Sequence, residues 1–476
     1  MSNVFNFLTW SAVSLDVMAC RYASAATLAA RSKERLAKLV AGAQKNSRFY
    51  RQHLQGVMPG ITPLQAMPVV NKRVLMANFD DWVTDPELKL ADIQAFMRDP
   101  TQIAQPYLGR YLLWESSGTS NQPGVFVQDA QALAVIDALE ALRSGTGNAQ
   151  GMTLWSPRKR IAFVGAIGGH FASVVSMQRL RQINPWLASD LACFSILQPI
   201  ASLVAELNAF APDIVATYPT AAALLATEVS LGNLNNTFEA IWTGGETLSQ
   251  AVRQRVSQVL GCPVRNSYGA SEFLSIASGC RFGHLHVNAD WVILEPVDEQ
   301  GQPTPPDQPS HTTLLTNLAN HVQPLIRYDL GDQLIWHSKP CACGSALPVI
   351  EVQGRLDDPL LVAGPHDQPV TLLPLALTTV LEDEVGVFDF QLRQRNASTL
   401  VLRLPLPEAQ GSEVAARCRQ ALARFALQQG ASPIHVVTEY GAALTRGRSG
   451  KALRVLAARG AKDAPLIKGK SPSAPR

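Results

Sequence analysis

The feature that most constrains the fold is a regular alternation of short apolar strands with helices between residues 160 and 268. The predicted strands are 160–164, 213–217, 240–243 and 264–268, and the helices predicted between them are 203–210, 221–229 and 250–260. Strands and helices that alternate at this spacing form a parallel sheet with helices on its faces. The sequence therefore predicts an α/β fold whose ligands bind beyond the carboxyl ends of the strands.

The regions on either side of this alternation have different patterns. An amphipathic helix is predicted over 25–54, and β-rich structure over 291–337. After residue 354, two strands, a helix that begins at Ser412 and a third strand predict a small α+β unit. We expect a large N-terminal domain with parallel sheets and a β-rich subdomain (1–354), a small C-terminal domain (355–463) and a disordered tail (464–476).

Composition limits the classes of function. The chain of 476 residues is 47% hydrophobic with a net charge of +3, so it has ample core and no broad charge for nucleic acid or a membrane surface. Its 7 cysteines are an odd number scattered over a long chain, which favours a reducing compartment. No basic residue precedes Arg21, which makes a poor signal peptide, and no apolar run is long enough to span a bilayer. We therefore expect a cytoplasmic protein.

A hydroxyl-rich loop over 115–123 lies between two apolar runs. Its hydroxyls and backbone N–H groups suit phosphate oxygens, and Gly118 lets the backbone approach closely. The loop lacks the lysine of a Walker loop, and the same residue types are also common in ordinary turns. On its own it indicates either a phosphate site or a turn.

Two further polar clusters, over 243–246 and 268–272, follow predicted parallel strands. Taken singly, Glu272 suits the first turn of a helix and Asp332 suits a turn after Leu-Gly. These two clusters belong to a series of six motifs. The others are the hydroxyl loop and the segments 327–332, 354–357 and 445–454. In the order of these six motifs the chain resembles the adenylate-forming enzymes, the superfamily of acyl-CoA synthetases, and within it the phenylacetate-CoA ligase family.

The resemblance implies a role for each motif. Tyr268 would stack on adenine and Asp332 would bind the ribose hydroxyls. Three catalytic residues are implied, with Glu272 as a Mg²⁺ ligand, Arg355 near the ribose and phosphate, and Lys451 bridging the carboxylate and the α-phosphate. The full implied nucleotide-binding set is Ser116, Ser117, Gly118, Thr119, Ser120, Gly244, Gly245, Glu246, Tyr268, Gly269, Ser271, Asp332 and Asp357. The loop departs from the family pattern at Asn121, where glycine is usual, and Asp357 would be the hinge of a mobile small domain.

An acyl pocket is expected beside the strand that ends near residue 164. Its candidates are Gly168, Gly169, His170, Phe171 and Tyr218. The resemblance to the family implies that the glycines would leave room for a flat ring. The histidine is equally suited to pairing with a carboxylate or ring substituent and to a structural hydrogen bond.

Three cysteines and a histidine have the composition of a closed zinc site. Cys280, Cys341 and Cys343 would bind the metal with His286, and His284 is the rival ligand. A zinc site of this composition is structural, because no coordination position stays open. Three reduced buried thiols are the alternative.

The expected activity is ATP- and Mg²⁺-dependent activation of an aromatic or arylacetic acid as acyl-AMP, followed by transfer to coenzyme A. In the first alternative the acyl group or the AMP passes to another acceptor. In the second the chain only binds nucleotide, and the three charges Glu272, Asp332 and Lys451 together argue against this. A small carboxylic acid is the expected partner, and a homodimer is one candidate assembly.

Overall fold

The structure is a computed structural model, and it describes residues 4–116, 123–143, 159–353, 359–365, 368–387, 390–441, 444 and 454–457. The helices are α1 Phe7–Ala19, α2 Ala25–Asn46, α3 Arg48–His53, α4 Lys72–Ala77, α5 Phe79–Trp82, α6 Leu90–Met97, α7 Ala130–Arg143, α8 Ala172–Ile183, α9 Ile200–Phe210, α10 Pro219–Ser230, α11 Gln250–Leu260, α12 Pro374–Thr379 and α13 Glu408–Gln428. The strands of the large N-terminal part are β1 Leu112–Glu115, β2 Val125–Gln128, β3 Ile161–Gly165, β4 Leu191–Ser195, β5 Ile214–Thr217, β6 Ala240–Thr243, β7 Val264–Ala270, β8 Phe273–Gly279, β9 Leu285–Val287, β10 Val292–Val297, β11 Thr312–Asn317, β12 Leu325–Asp329, β13 Leu334–Trp336 and β14 Val349–Val352. Those that follow are β15 Leu360–Ala363, β16 Pro369–Leu372, β17 Gln391–Asn396, β18 Thr399–Leu404, β19 His435–Tyr440 and β20 Val455–Leu456.

A nine-stranded sheet dominates the described part of the chain, with strand order β13-β14-β9-β8-β7-β6-β5-β3-β4. The strands from β4 to β7 in this order are parallel, whereas β7, β8, β9, β14 and β13 pair antiparallel. Because β4 lies outside β3 and the chain then returns to β5, the direction of winding changes between β3 and β5. Such a switch point opens a crevice at the carboxyl ends of the strands.

Smaller antiparallel sheets surround this one. β1 pairs with β2, and β10, β11 and β12 form a three-stranded sheet. One hydrophobic cluster joins α2, β1, β2, α7 and β12, with Trp82, Trp114 and Tyr50 among its largest buried side chains. This core packs β1 against the sheet of β10, β11 and β12, and it thereby fixes the start of the hydroxyl loop. The predicted α/β fold with a β-rich part is confirmed.

Two of the predicted helices differ most from their predicted bounds. The helix predicted over 25–54 is two helices, because Ser47 adopts an extended conformation and its hydroxyl accepts from the Tyr50 N–H. The helix predicted to begin at Ser412 begins four residues earlier, as α13, directly after Pro407. Pro407 is the N-cap residue, and its ψ of 149° places it just outside the helix.

The C-terminal region contains a four-stranded sheet of order β19-β18-β17-β20, packed against α13. Its apolar side chains join those of the strands β3, β5 and β6 in a second hydrophobic cluster. Gln429 also donates to the Leu197 carbonyl at 2.6 Å. The predicted boundary at 354/355 lies outside the described residues, so the division into domains stays a prediction. In the ranges described, no helix has the length and apolar character needed to cross a membrane.

Candidate active site

The sheet topology brings the predicted site segments to one edge. β3, β5, β6 and β7 are neighbours in that part of the sheet and run parallel. The segments 168–171, 218–220, 244–246 and 271–272 follow their carboxyl ends in turn. Polar groups that lie far apart in the sequence therefore line a common crevice.

Two tyrosine–carboxylate pairs lie at the β7 end of this edge. The Tyr268 hydroxyl donates to the Asp332 carboxylate at 2.8 Å, and the Tyr328 hydroxyl donates to the Glu272 carboxylate at 2.7 Å. Burial and the neighbouring carboxylates raise the pKa of both tyrosines well above the usual range, so both hydroxyls keep their protons. We call these four residues the nucleotide edge. The carboxylates that the sequence assigned to Mg²⁺ and to ribose are held in fixed orientations.

Backbone contacts fix the loop that carries Glu272. Trp114 Nε1 donates to the Ser271 carbonyl at 2.8 Å, and Asn317 donates to the Glu272 carbonyl at 3.0 Å. At Gly269 a Cβ atom would lie 1.9 Å from the Leu274 carbonyl oxygen, so only glycine fits there. The tight β7–β8 connection therefore requires the glycine that the motif has at position 269.

The glycines and Glu246 after β6 contribute in different ways. Gly245 has a φ of +77°, and a Cβ there would lie 3.2 Å from the Tyr218 ring. A Cβ on Gly244 would lie 3.2 Å from the Ser267 Oγ. Glu246 accepts from both the N–H and the hydroxyl of Thr220, each at 3.0 Å, near the start of α10. Its carboxylate therefore anchors this loop to that helix.

At the base of the hydroxyl loop, the Ser116 Oγ accepts from the Gly124 N–H at 2.9 Å. Lys72, at the start of α4, donates to the same oxygen at 3.3 Å. The sequence analysis did not single out this lysine, since it lies far from every motif. The other predicted phosphate ligands, Ser117, Gly118, Thr119 and Ser120, lie outside the described residues. So do Arg355, Asp357 and Lys451.

The predicted acyl residues surround the β3 end of the edge. The Tyr218 hydroxyl accepts from the Ala166 N–H, and burial raises its pKa to about 12. The Phe171 ring lies 3.0 Å from where a Gly169 Cβ would be, and Gly168 is exposed. His170 is only 2% exposed, with its ring 6.3 Å from that of Phe96, and burial lowers its pKa. Its Nε2 has no hydrogen-bond partner among the described residues. The enclosed imidazole is therefore neutral and supports the pocket wall.

The structure brings the predicted zinc ligands together at the other end of the sheet. The ligand atoms of Cys280, His286, Cys341 and Cys343 all lie within 4.8 Å of one another. Cys280 Sγ is 3.8 Å from Cys341 Sγ, and Cys343 Sγ is 3.3 Å from His286 Nε2. We call these residues the cysteine cluster. Of the two candidate histidines, His286 joins it and His284 does not.

The histidine of the cysteine cluster is oriented as a metal ligand would be. Its Nδ1 lies 2.9 Å from the Leu347 carbonyl oxygen, which holds the proton on that nitrogen. The lone pair of Nε2 then faces the thiols, and a carbonyl partner on the far nitrogen is the usual arrangement for a zinc-bound histidine. The donor set therefore fits Zn²⁺ with no position left for a substrate.

The chain is similar in sequence to known proteins. No family model matches the chain. It is 25% identical over 362 residues to the phenylacetate-coenzyme A ligase of Thermus thermophilus, covering 72% of this chain and 73% of that protein. The resemblance is confirmed. The CoA-ligase class of enzyme predicted from the sequence is confirmed with it. A weaker match, 21% identical over 61% of this chain and 59% of the other, is protein CapK of Staphylococcus aureus.

Solved structures show the same fold. The 2-hydroxyisobutyryl-CoA ligase in complex with its acyl-AMP and CoA superimposes with a TM-score of 0.59 at 19% identity, covering 92% of this chain and 91% of that one. The same enzyme in its postadenylation state gives a TM-score of 0.56 at 20% identity, covering 93% and 92%. The chain therefore has the architecture of an adenylate-forming enzyme over nearly its whole length.

Proposed function

We propose that the chain activates a carboxylic acid with ATP as an acyl-adenylate and transfers the acyl group to coenzyme A. The observation that carries this proposal is the nucleotide edge, where two carboxylates are held by buried tyrosines and Trp114, two residues before the base of the hydroxyl-rich loop, donates to the Ser271 carbonyl. The named activity of the Thermus relative supports the transfer to coenzyme A.

Each polar group has a task that follows from the charges involved. A carboxylate and ATP repel each other, and attack on the α-phosphorus places more charge on phosphate oxygens. Glu272 would hold Mg²⁺, which supplies positive charge to those oxygens, and Tyr328 orients its carboxylate. Asp332 would accept from the ribose hydroxyls, with Tyr268 positioned beside adenine. Positioning and electrostatic stabilisation account for catalysis without an enzyme nucleophile.

Two lysines would supply the remaining positive charge, each at a different part of the triphosphate. Lys72, against Ser116, stands where it would bind the β- and γ-phosphates held by Ser116, Ser117, Gly118, Thr119 and Ser120. Lys451 would bridge the incoming carboxylate and the α-phosphate, with Arg355 beside the ribose. Replacing Lys451 by Ala should therefore slow adenylation far more than transfer from a supplied acyl-adenylate. Equal losses in both steps would contradict this division.

The acyl group would lie between Tyr218 and the loop of Gly168, Gly169 and Phe171. An aromatic or arylacetic acid would lie beside Gly168, where no atom lies within 4 Å of the position of an added Cβ, with the Phe171 ring next to it. The cysteine cluster would hold a structural Zn²⁺ that fastens the β8–β9 turn to the segment before β14. A mobile small domain over 355–463 hinged at Asp357, a cytoplasmic location and a homodimer belong to the same proposal.

The direct test measures pyrophosphate release with ATP, Mg²⁺ and a panel of aromatic, arylacetic and aliphatic acids. We expect release with a flat aromatic acid, and loss of at least about 100-fold in Glu272→Gln, because a charged metal ligand is removed. Glu299→Gln, an exposed glutamate in the turn after β10, is the matched control. Absence of release from the unaltered chain with every acid would leave only nucleotide binding, and release without thioester would assign another acceptor.

A further inference from the structure

Glu115 lies between the two halves of the proposed site. It is the last residue of β1, directly before Ser116. Its backbone forms a parallel β-bridge with Phe171, in the segment 168–171 that would contact the acyl group. Its N–H donates to the His170 carbonyl at 2.9 Å, and its carboxylate accepts from the His170 N–H. The Glu115 Oε1 lies 3.3 Å from the position that a Cβ on Gly169 would occupy. The carboxyl group is therefore fixed where the phosphate loop meets the acyl pocket.

The surroundings of this carboxyl group are acidic. Among the described residues no cation pairs with Glu115, and the charged groups that face it are Asp383 and Glu382 of the turn after α12. Glu382 is itself paired with Arg454. Burial, and then Asp383, raise the pKa of Glu115 to about 7, and burial raises that of Asp383 to about 6. A carboxyl group that exchanges its proton near neutral pH is suited to acid–base work.

The proposed second half-reaction needs a proton acceptor. As the sulfur of a thiol attacks the acyl carbon, a C–S bond forms, the S–H bond breaks, and the C–O bond to AMP then breaks with AMP leaving as the anion. The neighbouring groups do not suit the task. The His170 Nε2 is enclosed away from solvent, and the Tyr218 hydroxyl keeps its proton up to about pH 12.

We propose that Glu115 is the general base of the transfer half-reaction and takes the proton from the acceptor as it attacks the acyl-adenylate. This inference rests on the proposed function and deepens it. The placement explains why a carboxyl group is tolerated beside an anionic substrate. While it is protonated, Glu115 does not repel the entering carboxylate. Once the adenylate has formed and that negative charge is gone, Glu115 releases its proton to solvent, and its carboxylate can then take the proton of the thiol.

The test separates the two half-reactions in the unaltered chain, in Glu115→Gln and in the control Glu299→Gln. Pyrophosphate release reports the first step, and single-turnover transfer from supplied phenylacetyl-adenylate to coenzyme A or hydroxylamine reports the second, each from pH 6 to 9. We expect Glu115→Gln to slow transfer to coenzyme A about 100-fold at pH 7, with pyrophosphate release within threefold. The deficit should shrink towards pH 9, where the thiol ionises unaided.

A second variant sharpens the result. Asp383→Asn removes the acidic residue that raises the pKa of Glu115 most, so the pH at which transfer reaches half its maximum should fall, whereas Glu384→Gln should change it less. Equal losses in both half-reactions for Glu115→Gln, or transfer within threefold of normal at every pH, would overturn the role of Glu115 and leave the proposed function standing. If the unaltered chain transferred the acyl group to neither acceptor, the role of Glu115 would be overturned as well. No pyrophosphate from the unaltered chain would overturn the proposed function and this inference together.

Discussion

The nucleotide edge and the cysteine cluster satisfy their polar groups in opposite ways. At the nucleotide edge each carboxylate accepts from a buried tyrosine, in the pairs Asp332–Tyr268 and Glu272–Tyr328. In the cysteine cluster the sulfur atoms contact one another and one imidazole nitrogen. Thiols are weak hydrogen-bonding groups, so these contacts stabilise the chain little by themselves.

The difference concerns what each region needs in order to be stable. The nucleotide edge is internally hydrogen-bonded, so we expect it to keep its shape without nucleotide. The cysteine cluster gathers soft ligands around one point, so we expect its stability to depend on a metal ion. The predictions below test this contrast, from the largest effect to the smallest.

Loss of the metal should have the largest effect on stability. In Cys341→Ser we expect zinc content to fall from about one ion per chain to near zero, with a loss of roughly 3 kcal/mol or more in the free energy of unfolding. Elemental analysis and thermal unfolding measure both quantities. Cys193→Ser, which replaces a half-buried cysteine of β4 outside the cluster, is the control. Freshly purified protein without zinc would contradict the prediction.

Asp332→Asn should weaken nucleotide binding without unfolding the chain. It exchanges a charged acceptor for a neutral amide, which is worth about 2 kcal/mol, so the KM for ATP should rise roughly 30-fold. Steady-state kinetics give the KM, and thermal unfolding should show a midpoint close to normal. Asp298→Asn, in the turn after β10, is the control. A large fall in stability would show that this edge is no more self-sufficient than the cysteine cluster.

Tyr328→Phe should have a smaller effect, because it leaves the Glu272 carboxylate in place and removes only the hydroxyl that orients it. A hydrogen bond to a charged group is worth about 1.5 kcal/mol, so adenylation should slow roughly tenfold and half-saturation with Mg²⁺ should need more of the ion. A Mg²⁺ titration of pyrophosphate release measures both. An unchanged Mg²⁺ requirement would remove Tyr328 from the metal site.

Glu115→Gln should change stability by an amount that depends on pH. The folded-state pKa is raised to about 7, so the folded chain binds this proton more tightly, and that contribution is complete below about pH 4.5 and lost as pH rises to 7. We therefore expect Glu115→Gln to be more stable than the unaltered chain by about 1 to 3 kcal/mol at pH 8 and equal to it at pH 4.5. Equal stability at both pH values would contradict the raised pKa.

The sequence predicted the parts of the molecule that depend on local patterns. The alternation from 160 to 268 predicted the parallel strands, because hydrophobic period and turn residues are local signals. The extension of β7 to Ala270 was not predicted, since it depends on pairing with β8. The early start of α13 was also missed. Gly411 lies inside it, where an added Cβ would be 3.3 Å from the Tyr440 ring.

The site was predictable to the extent that its residues form motifs. Glu272 and Asp332 lie in motifs, and the structure places each beside a tyrosine that sequence analysis had no means of pairing with it. Lys72 and Glu115 gave no signal, because their roles arise only from contacts with distant segments. The choice of His286 over His284 likewise depends on the register of β9, which is a tertiary property.

The central claim is that this chain joins a carboxylic acid to a thiol through an adenylate. The most direct measurement incubates the purified chain with ATP, Mg²⁺, coenzyme A and one aromatic acid at a time, and follows the products by mass. The account predicts equal amounts of AMP, pyrophosphate and acyl-CoA with at least one acid, and none of them in Glu272→Gln. Formation of ADP, or no product with any acid in an aromatic, arylacetic and aliphatic panel, would contradict it.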